Sequence, residues 1–324
     1  MTWRRTKRVW TRIAFAAASL MSMSGYVSAA PLEPETITLS QPGPDGGKVD
    51  RNYHILLPPN LRRGERPPAV ILLHDAGDDA LAAVYRHGWI ATAAQARFAI
   101  VAPEAGLQQQ GRAEGGFFNA RVWNAGSKAA ASWQDVAFLE AVAKDSAKRK
   151  TLDAKRLSLI GFGEGGAMAQ RVLREGSGRY AAFASIAGAL YGAPEAAKNA
   201  PLYLLFGAVD PTNPLKGGDI YTPWSGQALA PAAAKAIHGW RVGLGCPDQP
   251  GEASLNNGVH RNEWWDCAGR GALQAVWMEG LGRQWPGTGT GSLPERVTGP
   301  PNDAIFAPWD IWRFFEARRL AQQN

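Results

Sequence analysis

Short, uninterrupted apolar runs alternate along this chain with amphipathic stretches of helical length, and that alternation limits the fold more than any other feature. Residues 53–57, 69–73, 98–102, 157–160, 183–187, 202–206 and 274–278 predict strands, and 81–97, 135–150 and 164–175 predict helices between them, with Gly176 as a helix stop. Strands that are apolar throughout, rather than at every second residue, are covered on both faces. The expected class is therefore α/β, a mostly parallel sheet flanked by helices on both faces. A last helix over 308–320, carrying Trp309, Ile311, Trp312, Phe314, Phe315 and Leu320, is expected to dock an apolar face. The Gly/Thr/Pro stretch 286–302 reads as a long surface loop, because the last helix has no core of its own to join.

The 324 residues are 45% hydrophobic and 19% charged, which excludes a disordered chain and a coiled coil. The net charge of +7 does not argue for a polyanionic partner. Residues 1–29 hold Arg4, Arg5, Lys7, Arg8 and Arg12 without an acid, so the remainder carries only +2. These residues have the layout of a secretory leader: a cationic start, an apolar stretch over 13–23, and small residues ending Val27-Ser28-Ala29. The apolar part is shorter than the ~20 residues of a membrane-spanning helix. Cleavage is expected after Ala29, leaving a single domain over 30–324 that is secreted or periplasmic. Arg4-Arg5 lacks the apolar pair expected after a twin-arginine start, and general secretion is the preferred route.

Two cysteines, Cys246 and Cys267, occur. In an oxidising compartment they are expected to pair across a Gly/Asn/Pro-rich loop; two buried thiols are the alternative. Neither spacing nor neighbouring histidines match a zinc site, so no metal is expected.

The run 157–160 leads into Gly161-Phe162-Gly163-Glu164-Gly165-Gly166 and then a helix. Taken literally this fits G-x-G-x-x-G, the dinucleotide fingerprint. The context fails: the turn follows several strands, and the next strand ends Ser185-Ile186-Ala187 without the ribose-binding acid. The other reading is a nucleophile elbow, G-x-S-x-G, a sharp strand-to-helix turn that lifts a serine above the sheet. Here Gly163 stands where the serine belongs.

At these residues the chain resembles the secreted poly(3-hydroxybutyrate) depolymerase and feruloyl esterase branch of the α/β-hydrolases. The similar segments, in order, are RNYHILLPPNL, AVILLHDAG, FAIVAPEA, RVWNAG, DVAFLEAVAKD, DAKRLSLIGFGEGGAMAQ, LLFGAVDPTNPLKGG, the Cys246 and Cys267 pair, GLGRQWPG and IWRFFEARR. The resemblance implies an α/β-hydrolase fold and a catalytic trio of elbow serine, late-strand aspartate and the histidine of a Gly-His-x-Trp-Pro-Gly segment. Carried onto this sequence, those positions are Gly163, Asp210 and Arg283. Only the acid is retained.

A serine esterase needs an oxygen nucleophile, a base to take its proton, and an acid to orient the base. Gly163 offers no nucleophile, and Arg283 stays protonated and cannot act as the base. The resemblance thus implies an esterase frame that has lost ester hydrolysis. Glycine also adopts the positive φ of such a turn without a side-chain penalty, relieving ~1–3 kcal/mol of strain. Arg283 is expected to face Asp210, as a structural ion pair or, alternatively, as a clamp for a ligand carboxylate. The oxyanion donors carried over are the N–H groups of Glu164 and Ala76. Asp75 stands where the family has Gly. Pointing inward it would oppose a developing negative oxygen; the preferred reading turns it outward as an Asx-turn residue.

His74 is expected to order the oxyanion loop, and Trp123, Asn124 and Trp285 to border the cleft. Trp264 and Trp265 are further aromatic candidates for stacking on a ligand, though packing is their default role. His54, His87, His238 and His260 lie outside the expected segment, and Asp135 is expected to cap its helix. No cofactor, nucleic acid or membrane span is expected. A small carboxylate, an ester or a polymer would be the ligand. A competing reading keeps hydrolysis of hydroxyalkanoate or aromatic esters through a displaced nucleophile, Ser185 or Ser127.

Overall fold

The computed structural model describes residues 32–111, 116–126, 133–150, 152–194, 200–222, 226–230, 232–288 and 294–318; the expected leader, Ser127 and Leu320 lie outside them. Along the chain come β1 (Glu35–Pro42), β2 (Lys48–Leu56), β3 (Ala69–Leu73), α1 (Ala80–Arg86), α2 (Trp89–Ala96) and β4 (Ala99–Pro103). A small hairpin, β5 (Gly106–Gly111) and β6 (Phe117–Val122), precedes α3 (Asp135–Lys150), β7 (Leu157–Phe162), α4 (Glu164–Glu175), β8 (Ala182–Ile186) and β9 (Leu202–Gly207). A second hairpin, β10 (Gly218–Thr222) and β11 (Gly226–Ala230), leads to α5 (Ala234–Gly243), β12 (Glu252–Asn256), β13 (Val259–Trp264), β14 (Leu273–Met278), α6 (Glu295–Thr298) and α7 (Ala307–Glu316).

Ten strands form one sheet in the order β1-β2-β4-β3-β7-β8-β9-β14-β13-β12. The six from β4 to β14 are parallel, and antiparallel pairs extend both edges. Side chains alternate between two cores, as the strand period requires. From β3, Ala69, Ile71 and Leu73 join α3, α4 and α5 on one face; Val70 and Leu72 join α1, α2 and α7 on the other. Ile311, Trp312, Phe314 and Phe315 bury the inner face of α7, each contributing ~1.5–3 kcal/mol of apolar burial.

Several expectations shift in detail. The helix expected over 81–97 is two helices, because Gly88 takes a left-handed conformation (φ 71°, ψ 7°) and breaks the hydrogen-bond ladder. The segment between Cys246 and Cys267 is not a bare loop: it carries the β12–β13 hairpin, and the two cysteines form a disulfide. The stretch 286–302 contains α6. Asp135 does not cap α3; its carboxylate is taken by Arg51 (2.6 Å) and by the N–H of Asn124 (2.6 Å), with the Arg51 guanidinium 3.7 Å from the Phe138 ring centroid. No helix of the described residues is long and apolar enough to cross a membrane.

Candidate functional site

The carboxyl ends of the parallel strands bring the candidate residues together: Asp75 and Ala76 after β3, Gly163 between β7 and α4, Asp210 after β9, and Arg283 after β14. This is the edge at which open parallel sheets bind their ligands. Gly163 sits at the crest of the β7–α4 turn with φ 56° and ψ −116°, a conformation that L side chains rarely adopt. Strain is only half the reason for a glycine here. A Cβ at this position would lie 2.2 Å from Arg283 Nη2 and 2.2 Å from Asp75 Oδ1, so the space of a nucleophile side chain is filled.

What fills it is an ion pair. Asp75 points inward, not outward, and its Oδ1 accepts from the N–H of Ala76 (2.8 Å) and from the N–H of Glu164 (2.8 Å). Those are the two groups expected to hold an oxyanion, and both converge on this one oxygen. Arg283 Nη2 donates to both carboxylate oxygens at 2.9 Å, and Nε reaches Oδ2 at 3.3 Å. A helix N-terminus beside a guanidinium is strongly attractive to a negative group, and the chain supplies one itself.

The partner of Arg283 is therefore Asp75 rather than Asp210. Asp210 Oδ1 is consumed by the N–H of Thr212 (2.7 Å), its hydroxyl (2.9 Å) and the N–H of Asn213 (3.0 Å). Its Oδ2 is buried without a hydrogen-bond partner. Arg283 Nη1 donates to Thr212 Oγ1 (3.2 Å), which links the guanidinium to Asp210 through one hydroxyl. Burial alone would depress the Arg283 pKa; the Asp75 and Asp210 charges outweigh it and raise it above the ordinary value.

Glu164 contributes more than its N–H: its side chain is half-buried behind the same turn and accepts from the N–H of Trp123 (2.7 Å). Burial pushes its pKa up to about 8; the Trp123 bond opposes this and the Asp75 charge adds to it. Near neutral pH the Glu164 carboxyl beside the Asp75–Arg283 pair is thus largely protonated.

His74 is fully buried, and burial holds its pKa below the usual value. Its Nε2 accepts from the N–H of Ala105 (3.0 Å), which leaves the proton on Nδ1 to donate to Asp75 O (2.7 Å). His74 O in turn accepts from Trp123 Nε1 (2.9 Å). His74 and Trp123 brace the Asp75 loop from behind, and Trp123 has no exposed surface with which to border a cleft. Asn124 is half-buried and spends its side chain on Trp133 O (2.9 Å). Trp285 is a core residue, stacked on His87 and Phe162. Trp264 is buried as well; exposed Trp265 stacks with Arg318.

None of the other histidines supplies a base. His54 bonds Thr36 and lies 3.6 Å from Glu104, His260 pairs with Glu279, and His238 is exposed on α5. His87 is buried against Trp285, with its pKa pushed down to about 3 by burial and by Arg86. Ser185 is fully buried in β8, where its hydroxyl accepts from Gln170 Nε2 (2.9 Å), and it offers no displaced nucleophile. The dinucleotide alternative also loses its footing, since Asp75 occupies the helix N-terminus where a phosphate would sit. Thr212 is the site residue that sequence reasoning missed, and no motif marks it.

No protein-family model matches this chain, and no curated protein sequence matches it. Solved structures do. It is similar to an acetyl xylan esterase from Aspergillus awamori, with a TM-score of 0.55 at 13% identity over 77% of this chain and 94% of that one. It is also similar to a thermostable esterase, with a TM-score of 0.54 at 12% identity over 88% of this chain and 63% of that one, so it spans under two thirds of the latter. The fold is that of the α/β-hydrolases. At such identities the likeness concerns the fold, and the residues of the turn must be read for themselves.

Proposed function

We propose that this protein is a secreted α/β-hydrolase homologue, of the poly(3-hydroxybutyrate) depolymerase and feruloyl esterase type, that has lost serine-esterase chemistry and kept the pocket as a binding site. One observation carries the reading: the Asp75 carboxylate accepts both N–H groups that an ester's developing oxyanion would need, in the space a serine side chain at position 163 would need. An acyl transfer would lack its nucleophile, its base and its oxyanion donors together. The leader-like residues 1–29 and the Cys246–Cys267 disulfide support export. The ligands in keeping with the resemblance are esters, polymer ends or small carboxylates. Purified protein is expected to turn over no nitrophenyl acetate or butyrate above the solvent rate. Saturable turnover by the wild type that co-elutes with the protein would end this reading.

A further inference from the structure

Asp75 makes more contacts than a turn residue requires. One carboxylate takes two backbone N–H groups on Oδ1, Nη2 of Arg283 on both oxygens and Nε on Oδ2. The donors come from three separate places, the β3 loop, the start of α4 and the segment after β14, so they form a site rather than a local turn. Nε and Nη2 lie side by side on the guanidinium edge and match the two oxygens of a planar carboxylate. Glu164, largely protonated near neutral pH, adds no second full charge to compete for the guanidinium.

We propose that Arg283 with the N–H groups of Ala76 and Glu164 forms a binding site for small monocarboxylates, and that Asp75 is its resident, covalently tethered competitor. This deepens the proposed function and rests on the reading that the oxyanion donors are no longer used for hydrolysis. Because Asp75 is held by the chain at high effective concentration, a free carboxylate binds the wild type poorly. Replacing Asp75 with glycine empties the site and leaves Arg283 with a donor array but no anion. The paired side chains are themselves partly exposed, Arg283 by 15% and Asp75 by 18%, so the vacated site opens toward solvent.

The test compares thermal unfolding of the wild type, Asp75→Gly and Asp75→Gly/Arg283→Met in sodium acetate, sodium chloride and sodium phosphate at equal ionic strength. Expected is a saturable rise in the midpoint of Asp75→Gly in acetate over chloride, on the order of 3 °C or more at a hundredfold excess over the dissociation constant. The wild type should need at least tenfold more acetate for the same rise, and the double variant should show none. If Asp75→Gly is unfolded in chloride, recovery of its native circular dichroism in acetate is the same result read as refolding, and no recovery contradicts the proposal. An equal response to phosphate would reduce it to simple anion attraction, and an equal response in the wild type would remove Asp75 as competitor; either overturns it. Ester turnover by the wild type would instead strike at the loss of hydrolysis, so the two failures are told apart.

Discussion

Asp75 and Arg283, 208 positions apart in the chain, meet with both Nη2–oxygen distances at 2.9 Å directly over the glycine turn at 163. The three residues are interdependent. The pair needs the space that a side chain at 163 would take, and Gly163 leaves that space to be filled. Each would be unfavourable alone: an inward aspartate without Arg283 is a half-buried charge, and Arg283 without Asp75 is another.

Gly163→Ser in the otherwise wild-type chain should therefore destabilise, not restore. The new Cβ meets two charged groups at 2.2 Å and carries a side chain at positive φ, for a loss of roughly 2–3 kcal/mol. Urea unfolding reads it, and Asp75→Gly in the same chain should recover part of the loss. A neutral Gly163→Ser would mean that the turn is not packed as described.

Arg51→Met should be among the most damaging single changes away from the site. It leaves Asp135 buried with the Asn124 N–H and no cation, at a cost of roughly 3–5 kcal/mol. Denaturant titration of Arg51→Met beside Arg51→Met/Asp135→Leu separates the charge from the packing, because the double replacement removes the stranded carboxylate and should be the milder of the two.

The frame of this molecule was legible because it rests on patterns of several residues. Seven apolar runs located their strands to within a few residues, and α3 and α4 begin and end where periodicity and, for α4, the Gly176 stop put them. What failed depended on one backbone dihedral, as at Gly88, or on short polar strands such as β12, whose residues are all exposed and carry no hydrophobic alternation. The degenerate positions were visible one at a time, but their mutual contacts were not. An acid at 75 and a permanent cation at 283 are a complementary signal. Asp210 drew the pairing because an acid belongs at that place in the resemblance, whereas its Oδ1 is claimed locally by Thr212 and Asn213.

Glu164 makes stability depend on pH. Its folded pKa of about 8 lies above the ordinary 4.5, so between those values the folded chain holds a proton that the unfolded chain has released. The group's stabilising contribution is full below about pH 4.5 and falls as pH rises to about 8. Glu164→Gln keeps an acceptor for the Trp123 N–H and cannot ionise. Its stability relative to the wild type should climb from pH 5 to pH 8.5, and a flat difference would show that Glu164 ionises normally.

Reduction of the Cys246–Cys267 disulfide, or Cys246→Ser/Cys267→Ser, opens the loop of separation 21 that carries the β12–β13 hairpin. The chain-entropy model expects a loss of ~3 kcal/mol. Native-state proteolysis should then cut first between these positions, and cleavage elsewhere at the same rate would argue that the bond does not hold this segment.

Serine-directed fluorophosphonate labelling, read by mass spectrometry on the wild type and on Asp75→Gly/Gly163→Ser/Arg283→His, tests the silenced turn most directly. The account predicts no adduct on the wild type, and an adduct at position 163 in the triple variant, where nucleophile, base and open oxyanion donors return together. A stoichiometric adduct on any serine of the wild-type protein would contradict it.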